Sequence, residues 1–262
     1  MENLLRSTSL LAVALLLFVL LLVATQAGRL IGRRQRSKGE DKDSSSLATG
    51  MLGIFALLIA FTYSLSLARY DARRGMVLQE ANAIGTTANY ALMLPPQHRS
   101  PVMAMLRDYT KLRIGLGAPF DDAKFARDIA TSNAVLTRLW GQATAITAEQ
   151  PQSLPAYRFV SALNEQTNIA EARLTALRNH VPVTVLVVLT AIAMLSLGFA
   201  GYSATLGGFD RYVGLTIMAA AITMLIALTI DLDRPDRGSI EISVQPLTDA
   251  LAALPDGNQT AP

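Results

Sequence analysis

Apolar positions along the chain fall into two kinds of pattern. Four stretches are almost continuously apolar: Ser9–Gly28, Thr49–Ala68, Pro182–Gly201 and Val213–Ile230. Each is close to the roughly 20 residues that a helix needs to cross the hydrocarbon core of a bilayer. None contains Asp, Glu, Lys or Arg. Between the second and third stretches the apolar residues are instead spaced three and four apart. Phe125, Ile129, Ser132, Leu136, Leu139, Ala143 and Ile146 form one seam; Val160, Leu163, Thr167, Ala170, Leu174 and Leu177 form another. Pro151 and Pro155 separate the two, which predicts an antiparallel helical hairpin running directly into the third span. Val77, Ala81, Ile84, Ala88 and Ala91 make a further stripe, ended by Pro95-Pro96, and a shorter helix is expected over Pro101–Leu116. No stretch alternates with period two.

The pattern predicts an all-α membrane protein with four transmembrane helices. Residues 1–68 hold the first two with a basic loop, 69–181 form a helical extramembrane domain, 182–230 hold the last two, and 231–262 are an extramembrane tail. The first span reads as an uncleaved helix. Its leading segment is weakly basic, its apolar core exceeds the ~7–15 residues of a signal sequence, and the basic block after it suits a stop-transfer signal. The expected residence is a bacterial inner membrane, with the lipid bilayer as an obligatory partner.

Composition narrows the chemistry. Only 16% of the 262 residues are charged, against about a quarter in soluble domains. With no cysteine, the chain has no disulfide, thiolate metal ligand or cysteine nucleophile. His98 and His180 are too far apart in sequence for a helical ligand pair. There is no histidine-rich metal motif, phosphate-cradling glycine loop or serine elbow, so no enzyme and no cofactor are expected. The net charge of +3 sits in clusters beside apolar runs. Arginines are not interleaved with aromatics, and no nucleic-acid partner is expected.

Four spans put both termini and residues 69–181 on one side of the membrane, with the loops Arg29–Ala48 and Tyr202–Tyr212 on the other. Arg29, Arg33, Arg34, Arg36, Lys38, Lys42 and Arg211 flank the membrane on the loop side. Arg6, Arg69, Arg73, Arg74, Arg173, Arg178, Arg234 and Arg237 flank it on the other, so the totals do not orient the chain. The basic exit of the first span by itself favours a cytoplasmic loop.

The second span is the most polar. Gly50 and Gly53 are expected to allow close helix approach, and Thr62, Tyr63, Ser64 and Ser66 occupy its last third. Those hydroxyls fit either packing against neighbouring helices or one wall of a watery path. Arg69, Asp71, Arg73 and Arg74 follow, then Glu80 and Asn82; Asp231, Asp233 and Arg234 leave the fourth span. Ion pairs are expected between the Arg69/Arg73/Arg74 group and Asp231/Asp233, because charges at a membrane border interact in a lowered dielectric. A basic ring at a pore mouth is the other reading of the same arginines. Glu80 and Asn82 are expected to cap or bridge neighbouring helices. Asp231, Asp233 and Asp236 supply only part of the six or more oxygens a calcium ion takes.

These segments carry a resemblance. Gly32-Arg33-Arg34, Ala60-Phe61, Arg69-Tyr70-Asp71-Ala72-Arg73-Arg74, Glu80-Ala81-Asn82-Ala83-Ile84-Gly85, Leu94-Pro95, Leu163-Asn164-Glu165 and Asp231-Leu232-Asp233-Arg234-Pro235 resemble the bestrophin-like domain family of bacterial membrane proteins. That family in turn distantly resembles the bestrophin anion channels, whose four spans also enclose a helical domain. The resemblance implies a homo-oligomer, a pentamer in those channels, that conducts small ions along its second span. It makes Ile54, Phe55, Leu58 and Phe61 candidates for an apolar neck, with Thr62 and Ser66 further along the same span. Pro235-Asp236-Arg237-Gly238 stands where the channels carry Pro-Phe-Gly, and the acidic run that follows in calcium-gated members is absent. The expected function is an oligomeric ion channel. The alternative is a non-conducting membrane scaffold whose helical domain binds a partner protein.

Overall fold

The computed structural model describes residues 9–37, 45–116, 122–207, 212–234 and 240–255. Arg6, Lys38, Lys42, Arg211, Asp236, Arg237 and the Pro235–Gly238 motif lie outside the described residues. The described residues are helical, without a strand. The helices are α1 (Leu10–Arg36), α2 (Ser45–Ala91), α3 (Pro96–Ile114), α4 (Asp122–Glu149), α5 (Leu154–Arg178), α6 (Val183–Leu206), α7 (Tyr212–Asp233) and α8 (Gln245–Ala253). Four of the helical stretches are long and apolar enough to cross a membrane. The chain is an all-α membrane protein.

Helix ends depart from the apolar boundaries in two informative places. The basic block after the first span is not loop: α1 continues through Arg33, Arg34 and Arg36. Arginine is a good helix former, and cations in a last turn complement the helix dipole. At the other end, the second hairpin helix does not run unbroken into the third span. Arg178 ends α5, Asn179 takes extended backbone, and Pro182 precedes α6. Proline lacks the N–H that would continue the ladder and pushes the residue before it out of the helical region.

The longest element is α2, with 47 residues. At ~1.5 Å per residue it is about 70 Å long, more than twice the ~30 Å of hydrocarbon a span must cross. No proline interrupts it between Ser45 and Ala91. It ends at Ala91, and a short turn through Leu94-Pro95 leads into α3, which begins with Pro96.

The chain divides into two compact units. One comprises Met1–Ala68 and His180–Arg234; the other comprises Arg69–Asn179 and Pro235–Pro262. In the first, Leu17, Leu21, Phe55, Ile59, Ala193, Leu197, Ala219 and Ile226 form the shared core. The closest helix contact uses glycine. A side chain on Gly28 would collide with the backbone of Gly198, and one on Gly201 would stand 2.5 Å from the Thr25 carbonyl. Gly32 likewise lies against Tyr202. Lipid tails give apolar side chains little reason to leave lipid for one another, so dispersion between closely apposed backbones carries association. The glycines expected to do this, Gly50 and Gly53, face open space in the single chain. Gly28 and Gly32, spaced four apart on α1, have that role instead. Threonine hydroxyls within the bundle bond their own helix, as Thr25 does to Leu21, Thr62 to Leu58 and Thr223 to Ala219, whereas the Ser196 hydroxyl donates across to the Met51 carbonyl at 3.3 Å. No water is there to satisfy them otherwise.

The second unit has the core of a soluble helical domain. Val77, Ile84, Leu106, Leu139, Ile146, Phe159 and Leu163 are buried together, and α8 adds Leu247 from the C-terminal segment. The α4 seam is buried from Ser132 to Ile146. On α5 the expected seam is buried at Leu163, Ala170 and Leu174 and half-buried at Val160, Thr167 and Leu177, and the buried face extends on one side to Phe159, Gln166 and Arg173. The interior therefore contains polar side chains at seven-residue spacing.

Candidate functional site

Helix α2 presents two faces within the first unit. Phe55, Ile59, Thr62 and Ser66 are buried against the chain's own bundle. Ile54, Leu57, Phe61 and Leu65 face outward, with Phe61 67% exposed. Gly50, Gly53 and Ser64 share the outward side, and Leu58 is half-buried between the two. The six residues expected along a conducting path are therefore divided. Ile54 and Phe61 point away from the chain, whereas Phe55, Thr62 and Ser66 point into it. The Ser66 hydroxyl is buried without a hydrogen-bond partner. Leu58 and Thr62 also border a cavity of about 250 Å³ with Thr184, Val185, Val188 and Leu189.

The outward face differs from that of α1. There the exposed side chains are Leu11, Leu15, Leu16, Val19 and Val23. An unbroken aliphatic face suits lipid, whereas glycine and serine among large apolar residues suit contact with another helix or with water.

At the border, Arg73 is 1% exposed and donates from Nε to the Ala176 carbonyl at 3.2 Å and from Nη2 to the Asn179 carbonyl at 2.7 Å. Arg69 reaches Asn179 Oδ1 at 3.1 Å. These are the carbonyls and cap that a helix C-terminus leaves unsatisfied, and a guanidinium there satisfies them and complements the dipole. Arg74 and Asp71 are exposed. In the first unit, Asp233 accepts from the Val181 N–H with both carboxylate oxygens, at 2.9 and 3.0 Å. Its own carbonyl lies 3.0 Å from His180 Nδ1. Asp233 thus holds the chain just before α6, while Asp231 is buried at 4% exposure and Arg234 is half-buried.

Glu80 is fully buried and lies at the centre of the second unit's charge network. Arg113 Nε is 2.5 Å from one carboxylate oxygen and Arg173 Nη1 is 2.6 Å from the other. The Tyr109 hydroxyl donates to Glu80 at 2.8 Å. Arg113 also donates to the Ala170 carbonyl, and Arg173 to the Arg113 carbonyl. Glu80 bridges neighbouring helices as expected, joining α2 to α3 and α5; Asn82, two residues on, is exposed. Burial alone would raise the Glu80 carboxyl, but the two guanidiniums and their hydrogen bonds outweigh it and hold the group below its ordinary value. Burial, then the Glu80 charge, pushes the Tyr109 phenol up, so it stays a neutral donor. Burial and the neighbouring Arg113 lower Arg173, while Glu80 opposes them.

Arg113 and Arg173 escape apolar-periodicity reasoning because each is polar at a core position. Arg173, counted above as a charge flanking the membrane, is 2% exposed and committed to Glu80. A sequence signal does exist: Glu80 lies between Val77 and Ile84 on a buried stripe, and a carboxylate there requires a cation. Among the described residues no three His, Asp or Glu side chains come together as a metal site.

The structure is similar to the crystal structure of a bacterial bestrophin homolog from Klebsiella pneumoniae. The TM-score is 0.69 at 14% identity, and the match covers 96% of this chain and 99% of the other. Two single-substitution variants of that homolog match alike. One gives a TM-score of 0.69 at 13% identity, covering 92% and 97%; the other gives 0.69 at 14%, covering 96% and 100%. Comparison with curated proteins finds no match. The family model of the Bestrophin-like domain matches residues 12–247, all four spans and the intervening helical domain included. The chain belongs to the bestrophin-like family.

Proposed function

We propose that this protein is an ion channel of the bacterial inner membrane, assembled as a ring of identical subunits, with α2 nearest the axis and anions as the conducted species. The observation that carries this reading is the outward face of α2. Ile54, Leu57 and Phe61 are large apolar side chains in register, flanked by Gly50, Gly53 and Ser64, on a helix whose opposite face is already occupied. In a ring of subunits such a face makes an apolar constriction, and hydrophobic constrictions gate by dewetting. Phe55, Thr62 and Ser66 then support the wall from behind. Arg74, exposed three turns beyond Ser64, supplies positive charge at the exit, which favours anions. Arg73 acts as the clasp on α5.

Purified full-length protein in liposomes tests this. Chloride efflux above that of empty vesicles is expected, reduced when gluconate replaces chloride and raised by Phe61→Ala. No efflux above empty vesicles, or a strictly monomeric particle, contradicts it. The second reading is a non-conducting scaffold. It is supported by a groove of about 710 Å³ in the second unit, lined by Leu78, Asn82, Thr86, Asn89, Asp249 and Leu254. A stoichiometric partner recovered by crosslinking at that groove, without flux, would favour it.

A further inference from the structure

The exit of α1 combines two surfaces that are usually separate. Leu30 and Ile31 are each 57% exposed, continuing the aliphatic face of the helix. Arg33 and Arg34 follow one turn later on that same side, at i+3 and i+4 from Leu30, and both are exposed. Arg36 completes the last turn and reaches the Thr205 carbonyl at 3.4 Å. Nearby in the same unit, Arg29 lies over the Tyr212 ring, its guanidinium carbon 5.2 Å from the centroid. Tyr212 begins α7 and is 45% exposed. A tyrosine beneath an arginine, between aliphatic and basic segments, marks the level of the membrane–water interface.

From this arrangement we infer that the α1 exit binds the phosphate of an anionic phospholipid headgroup through Arg33 and Arg34, with the acyl chains lying along Leu30 and Ile31. Guanidinium forks match phosphate oxygens bidentately. The helix C-terminus opposes an anion with about half a negative charge, which three guanidiniums in the last turn outweigh. The adjoining aliphatic face selects a lipid over an acidic protein segment, since Leu30 and Ile31 lie beside the interfacial Arg29–Tyr212 pair with side chains leaning back toward the span, where they meet the upper acyl chains.

The test uses full-length protein purified in detergent, with dissociation constants measured by native mass spectrometry for phosphatidylglycerol and for phosphatidylcholine. Wild type is expected to bind phosphatidylglycerol about 25-fold more tightly. Arg33→Gln/Arg34→Gln is expected to weaken phosphatidylglycerol about 25-fold, the product of about fivefold per arginine, and to leave phosphatidylcholine unchanged. Should the double variant fail to stay monodisperse, Arg34→Gln alone reads the same quantity at about fivefold. Arg127→Gln/Arg158→Gln, exposed residues of the helical domain, should change neither lipid. Equal affinity for the two lipids, an unaltered preference in the Arg33/Arg34 variants, or displacement of the lipid by equimolar inorganic phosphate would overturn the inference.

Discussion

The two units of this chain solve the same problem, holding long helices together, with opposite materials. In the membrane bundle α1 and α6 meet backbone to backbone at Gly28, Gly198 and Gly201, and many large side chains, such as Leu11, Leu16, Phe61 and Val213, point outward around a smaller apolar core. In the helical domain Leu, Ile and Phe point inward, and a carboxylate is buried between two guanidiniums. The solvent explains the difference. Water drives apolar side chains into a core at roughly 25 cal/mol per Å², whereas lipid offers no such drive and leaves close packing to do the work. A buried ion network is tolerable in the helical domain because Glu80 meets a guanidinium at each carboxylate oxygen, although the buried Arg173 Nε has no hydrogen-bond partner.

The comparison is broken most severely at Glu80. Glu80→Ala leaves Arg113 and Arg173 buried without their anion, and a loss of about 3–5 kcal/mol is expected. It should appear in thermal denaturation of the detergent-solubilised protein. Replacing all three by methionine should recover much of that loss, since well-packed apolar residues substitute for a buried ion pair at little cost. A triple variant as unstable as Glu80→Ala would show the network to be more than charge balance.

Gly28→Val is next. The added side chain meets the Gly198 backbone, α1 and α6 must part, and a loss of about 1–3 kcal/mol is expected. Acid sharpens the contrast further. The folded-state value of Glu80 is lowered, so its contribution is fully present above the ordinary value of 4.5 and disappears as pH falls below it toward the depressed folded value. Glu149, held down by a 2.8 Å hydrogen bond with His98, behaves in the same direction. Thermal stability should therefore drop in wild type as pH falls below the ordinary carboxylate value of 4.5 and drop less in the methionine triple variant. The smallest effect is expected at Gly53→Ala. A methyl there meets nothing in the single chain, and alanine raises helix stability by about 0.5–1 kcal/mol. In a ring of subunits the same methyl would enter the inter-subunit contact or the path, so unchanged flux alongside raised stability would place Gly53 away from both.

What could be read from the residues follows the same division. The four spans were legible because lipid demands about 20 apolar residues without charge, a constraint with no tertiary alternative. The α4 seam was legible because Leu136, Leu139, Ala143 and Ile146 are apolar at the spacing the helix buries. On α5 the apolar seam was legible at Leu163, Ala170 and Leu174, but the buried positions of Gln166 and Arg173 beside it were not, because polar residues carry no apolar periodicity. Glycine packing was expected at Gly50 and Gly53 but occurs at Gly28, Gly32, Gly198 and Gly201. Spacing alone says that a helix can approach closely, not which neighbour arrives. For the conducting path, the period of α2 placed Ile54, Phe55, Leu58, Phe61, Thr62 and Ser66 on one helix. It did not say which side the bundle already uses.

That side is the point on which the functional account turns, and the chain's lack of cysteine allows it to be read directly. Single cysteines at 54, 55, 58, 61, 62 and 66 can be exposed to a small, charged, thiol-reactive reagent in proteoliposomes while chloride flux is followed. The account predicts rapid modification with loss of flux for Ile54→Cys and Phe61→Cys, and none for Phe55→Cys, Thr62→Cys or Ser66→Cys. Reaction at the inner three with Phe61→Cys protected would contradict it.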